Sequence, residues 1–98
     1  MDYSKVENGI VSTVVIADQE FIDSGALGDP SLYYLTDFNT RGNVHYGADG
    51  QPDGLPPFRG NYGETGFTWD VANDVFYAPM PTEGDWVLDD QTWTWVAA

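Results

Sequence analysis

The chain has 98 residues, 42% of them hydrophobic and 15% aromatic, enough to fold as one small globular domain and too little for two. Sixteen Asp and Glu face only Lys5, Arg41 and Arg59, and the formal charge of −13 repels phosphate backbones and anionic membranes, so nucleic acid and membrane surfaces are poor partners. The absence of cysteine removes disulfides and thiolate chemistry. Such acidity leaves solubility at high copy number, attraction to a basic protein surface, or cation binding as its uses. No basic segment followed by a long apolar run opens the chain, so the expectation is a soluble protein without export signals.

The first element is a hairpin. Ser4-Lys5-Val6-Glu7 and Ile10 to Ile16 flank Asn8-Gly9, a dipeptide that takes positive φ at both centres of a type I′ turn. Ile10 to Ile16 is β-branched at nearly every position and reads as a central strand buried on both faces. Asp18 can cap the amides of Gln19-Glu20-Phe21, and the following Ile22 to Gly28 allows a turn or two of helix closed by a glycine, with Phe21 and Ile22 packed inward. After Asp29-Pro30, the run Leu32 to Thr36 reads as another strand.

Between Asp37 and Gly66 the composition shifts to seven glycines and three prolines, which predicts a long loop without regular structure. A loop of this length in a small domain is commonly functional or partner-held, which makes it the best candidate contact surface. Val44, Tyr46, Leu55, Phe58 and Tyr62 are the residues expected to pin it to the core. Arg41 and Arg59, two of the three cations, can each bridge carboxylates or carbonyls and fix its path, or meet a partner.

The last third holds all four tryptophans. Phe67 to Asp70 and Val75 to Ala78 read as one antiparallel pair. Trp86-Val87-Leu88 and Trp93 to Val96 read as a second, around Asp89-Asp90-Gln91-Thr92. Strand alternation places Trp93 and Trp95 on one face. Each buried indole removes on the order of 150–250 Å² from water, so this region is expected to supply much of the core, with some rings left for an interface.

Catalytic and metal chemistry find little support. Asp49-Gly50-Gln51-Pro52-Asp53-Gly54 opens like a calcium loop, but the twelfth position is Gly60, which has no carboxylate, so an ordinary turn cluster is the better reading. His45 is the only histidine, which excludes a multi-histidine metal site within the chain, and no nucleophile-elbow motif accompanies it. Asp89-Asp90 falls in a turn, where solvated side chains are expected. No cofactor is called for.

Tyr3-Ser4-Lys5-Val6-Glu7-Asn8-Gly9-Ile10-Val11, Ile16-Ala17-Asp18-Gln19-Glu20-Phe21-Ile22-Asp23-Ser24-Gly25, Asn39-Thr40-Arg41-Gly42, Arg59-Gly60-Asn61-Tyr62-Gly63, Gly66-Phe67-Thr68-Trp69-Asp70 and Trp86-Val87-Leu88-Asp89 together resemble small uncharacterised proteins of tailed bacteriophages, of the marine and cyanobacterial type. The segment from Phe67 to Trp95 is also similar to the closing part of tail-fibre assembly proteins. These resemblances imply a non-enzymatic virion structural or accessory protein, made in the host cytoplasm. It would dock in multiple copies on another phage protein, as a capsid-surface decoration or a tail or fibre component. A tail-fibre assembly chaperone and a carbohydrate-binding module are the alternatives. The fold expected is mainly β: one domain over 1–98, with a hairpin, short helix and strand in 1–36, the long loop in 37–66 and an aromatic double hairpin in 67–98. It forms a small antiparallel sheet or partly open barrel. Candidate partner-binding residues are Arg41, Tyr46, Phe58, Arg59, Tyr62, Trp86, Trp93 and Trp95.

Overall fold

The computed structural model describes residues 1–98 and is mainly β. Strands β1 (Asp2–Glu7), β2 (Ile10–Ile16), β3 (Tyr33–Thr36), β6 (Thr68–Asp70) and β7 (Val75–Tyr77) form one antiparallel half-barrel sheet in the order β3-β1-β2-β6-β7. Two short pairs stand apart from it: β4 (Thr40–Arg41) with β5 (Val44–His45), and β8 (Trp86–Asp89) with β9 (Thr94–Ala97). A single helix, α1 (Gln19–Asp23), and a 3-10 turn at Pro30–Leu32 link β2 to β3.

The β1–β2 hairpin closes on Asn8 and Gly9 at φ 53° and 79°, the left-handed pair that a type I′ turn requires. Opposite Lys5 stands Thr13 and opposite Val6 stands Val11, so Ser12 is an extra residue on β2. This bulge resets the alternation, bringing Val11 to the same face as Val14, and both join Val6, Trp69 and Phe76 in the core on the concave side. On the convex side Tyr3 and Ile22 are each 1% exposed, with the Tyr3 hydroxyl donating to Gln19 at 2.9 Å, so α1 covers the hairpin's back.

The sheet's two edges are closed by the glycine-rich segment. Arg59 donates from Nη1 to the Leu35 carbonyl of β3 at 2.8 Å and from Nε to Asp74 beside β7 at 3.1 Å, while the Phe76 amide donates to the Arg59 carbonyl at 2.9 Å. Its guanidinium lies 5.2 Å from the Trp69 ring and 5.0 Å from Phe58. One planar cation thus spans the open side of the half-barrel and caps the aromatic core. Gly63 follows into the concavity, where a Cβ would lie 2.6 Å from Ser4 Oγ and 2.7 Å from the Phe76 ring, so only glycine fits.

The structure departs from several sequence expectations. β2 is central, but only Val11 of it is buried: Ile10 lies on the face opposite Val11, away from the core, and Ile16 lies beyond the reach of β6, which meets β2 only at Ile10 opposite Thr68. Asp18 precedes α1 without a side-chain capping bond, and Phe21 points to solvent at 49% exposure, since so short a helix buries only Ile22. The 37–66 segment is not wholly irregular: β4–β5 and a bridge between Tyr46 and Pro52 lie within it. Leu55 is exposed and pins nothing; buried Thr40 and Asn61 do so instead. Of the four tryptophans only Trp69 is buried, because β8–β9 forms its own two-stranded arm rather than extending the sheet.

Candidate functional site

The loop and the arm meet over a cleft of about 450 Å³ lined by Phe38 and Tyr62 of the loop, Phe67 just after it, and Trp93 and Trp95 of the arm, together with Arg41, Asn61, Glu64 and Thr94. The arrangement follows from three local features. First, Trp93 lies outside the strand at φ 54°, so it is a left-handed residue at the end of the 89–93 turn and not the strand residue expected from alternation. Trp93 and Trp95 still line the same cleft, by turn geometry and not by strand period.

Second, Asn61 ties the two units together. Its side-chain amide donates to the carbonyls of Phe76 on β7 and Trp93 on the arm, each at 2.9 Å, and its oxygen accepts from the Gly42 amide at 2.8 Å. Third, the polar ends of two cleft rings are already engaged. The Trp95 indole donates to the Ala78 carbonyl at 2.7 Å, and the Tyr62 hydroxyl donates to Asp2 at 2.8 Å. The rings are therefore held in place and present π-surface to the cleft. Burial, the Asp2 hydrogen bond and nearby carboxylates push the Tyr62 hydroxyl up to about 12, so it stays a neutral donor.

The two rim charges differ in kind from the rest of the surface. Arg41 is exposed, stacks at 4.3 Å over the Tyr46 ring, and has no carboxylate within 4.0 Å, unlike Lys5 and Arg59, which pair with Glu7 and Asp74. It does not bridge acidic groups as expected of it. Glu64 is likewise exposed without an ion pair.

Four of the eight sequence candidates, Arg41, Tyr62, Trp93 and Trp95, thus converge on the cleft, with Tyr46 beneath Arg41. The others lie elsewhere. Arg59 is the internal staple, Phe58 packs beneath it and lines a different hollow with Met1 and Leu35, and Trp86 sits at the far end of the arm with its indole on the Glu83 carbonyl. Sequence reasoning missed Phe38, Asn61, Glu64, Phe67 and Thr94 as cleft residues. Asn61 carried one usable signal, an amide beside Gly60 and two residues before Gly63, where the chain approaches the core.

His45 lines none of the hollows and is held by carboxylates, with Nδ1 2.8 Å from Asp53 and Nε2 3.4 Å from Asp37. Burial pushes the Asp53 carboxyl up, but the His45 hydrogen bond and the Leu55 amide outweigh it and leave the group below its ordinary value. Asp49 accepts from the Gln51 amide at 3.0 Å and Asp53 from Leu55 at 3.0 Å, both turn-closing bonds. No three His, Asp or Glu side chains gather in a way that could hold a metal ion. Comparison with protein-family models, curated proteins and solved structures finds no match for this chain.

Proposed function

We propose that this chain is a non-enzymatic accessory protein of a tailed-phage virion that docks on another virion protein through the face shared by the 37–66 segment and the β8–β9 arm. One observation carries the reading: Tyr62, Trp93 and Trp95, with Arg41 at the rim, form a half-exposed aromatic cleft in which the Tyr62 and Trp95 rings are fixed by hydrogen bonds from behind. Anchors of this type, Trp, Tyr and Arg around a concave site, concentrate binding energy in protein interfaces. The sequence resemblance to phage proteins supplies the setting, and the acidic exterior suits a module displayed in many copies.

Mass spectrometry of purified particles tests the proposal. The protein is expected to co-purify at fixed stoichiometry, with hundreds of copies indicating the shell and a few to dozens the tail. Its presence in infected-cell cytosol alone would refute the reading and leave the departing chaperone. A second reading, sugar binding, is favoured by the same rings, since flat aromatic faces stack on the apolar faces of sugars. Silence on a glycan array would dismiss it.

A further inference from the structure

A second hollow adjoins the aromatic cleft and shares Tyr62, Glu64 and Phe67 with it; its remaining wall is Thr65 and Val14 of β2. This is where β2 loses its neighbour. β6 pairs with it at Ile10 opposite Thr68, the surrounding bonds run from Val11 to Phe67 and Gly66, and nothing continues the ladder beyond. The Ala17 amide donates to the Met1 carbonyl at 2.9 Å, so antiparallel alternation turns Val15 and Thr13 toward β1 and sends the backbone groups of Val14 and Ile16 to the vacant side. Ile16 is 82% exposed there. A mid-sheet strand therefore presents a short open edge, flanked by a wall of rings, in the middle of an otherwise closed half-barrel.

We infer that this edge and the adjoining cleft form one site for an extended segment of a partner protein, added as a strand beside Val14–Ile16 with its next side chains seated among Tyr62, Trp93 and Trp95. Strand addition supplies affinity through main-chain hydrogen bonds, and a pocket beside the edge supplies selectivity. Charge specifies the occupant. Glu64 is unpaired and lies where the two hollows join, within a chain of charge −13, so the segment carries a Lys or Arg at that point. Arg41 lines only the aromatic end, which therefore takes an acidic side chain or carbonyls and sets the direction of the segment. The occupant is an extended peptide of β-branched or apolar residues, basic toward β2. A second copy of this chain fits poorly, because β2 itself, Ile10–Ile16, offers no basic residue.

This inference rests on the docking reading and names the partner's chemistry. The test is selection of a randomised twelve-residue peptide display library on the intact immobilised protein, followed by titration of the most enriched sequence, made synthetically, into isotope-labelled protein. Recovered sequences are expected to be β-branched with a central Lys or Arg. The peptide should shift the amides of Val14 and Ile16 and the indoles of Trp93 and Trp95. Ile16→Pro removes an outward amide without touching the β1 ladder, and Glu64→Lys reverses the rim charge on a side chain that makes no hydrogen bond; each is expected to weaken binding at least ten-fold. Val87→Lys, on the outer face of the arm, should leave it unchanged.

Four outcomes would overturn the inference: no enrichment, acidic sequences, shifts confined to other faces, or concentration-dependent dimerisation that protects Val14 and Ile16. Glu64→Lys keeps the test valid should Ile16→Pro unfold the chain. The two readings separate in the particle assay. Wild-type protein missing from particles defeats docking itself, whereas equal incorporation of both variants defeats only this site.

Discussion

Asn61 is the residue on which the two halves of the cleft depend. It is 8% exposed, and its side chain satisfies two carbonyls and one amide that belong to three different segments. Removing one partner of a buried hydrogen bond costs the desolvation of what is left, about 1–3 kcal/mol for a neutral group. Asn61→Ala strands three such groups, so a loss of roughly 3 kcal/mol is expected in chemical denaturation, read from the midpoint at constant slope. A loss below about 1 kcal/mol would mean that water replaces the amide. Tyr62 gives a pH signature. Its folded value, about 12, lies above the ordinary tyrosine value of 10.0, so the folded state holds the proton more tightly. The associated stability is complete below pH 10 and disappears as pH rises through 12. Wild type is expected to lose stability more steeply than Tyr62→Phe across that window in thermal melts, and the last tyrosinate absorbance to appear should be the one missing from the variant.

Among the elements, the β8–β9 arm is the weakest unit. A two-stranded ribbon is marginal alone, and this one is fastened to the body by few bonds: Trp95 to Ala78 at 2.7 Å, Asn61 to Trp93 at 2.9 Å and Asn43 to the Gln91 carbonyl at 2.9 Å. Hydrogen exchange is expected to show the amides of Val87 to Val96 opening well before those of β1 and β2, with Trp95→Phe speeding the arm by roughly a factor of five through loss of about 1 kcal/mol. Uniform protection across both sheets would contradict this. The arm also shows what the sequence could carry. Its pairing was legible because Trp86-Val87-Leu88 and Trp93 to Val96 flank a polar turn, although the second strand begins one residue later, at Thr94. Its separation from the main sheet was not, since period-two alternation says nothing about which strand a hairpin docks against. Likewise Asn8-Gly9 announced the first hairpin, whereas the Ser12 bulge, which decides the face of Val11, left no mark in the composition. The cleft was half legible: the rings were identifiable as surplus to a small core, but their convergence depends on Asn61, a long-range tie between the loop, β7 and the arm.

At the scale of the whole molecule, two features oppose each other. The molecule is elongated, with extents of 44 × 32 × 21 Å and a radius of gyration of 14.2 Å, where a compact chain of this length has about 13 Å. Only 13 of 98 residues are buried, so the core has little reserve against the mutual repulsion of sixteen carboxylates. The attractive pairs Lys5 with Glu7 and Arg59 with Asp74 involve partly exposed groups and offset little of it. Screening should therefore strengthen the fold: the midpoint of thermal unfolding is expected to rise with sodium chloride, mostly below about 0.1 M, the concentration at which the Debye length has shrunk to about 10 Å. Association with a basic segment responds in the opposite sense, because the same screening removes the attraction between that segment and Glu64 within the acidic surface. Parallel measurements on one protein preparation then carry opposite signs, a rising melting temperature and a weakening peptide affinity. A melting temperature that fell with salt would show that the attractive pairs, Lys5 with Glu7 and Arg59 with Asp74, outweigh the net charge. An affinity indifferent to salt would locate recognition in the rings and the β2 edge alone.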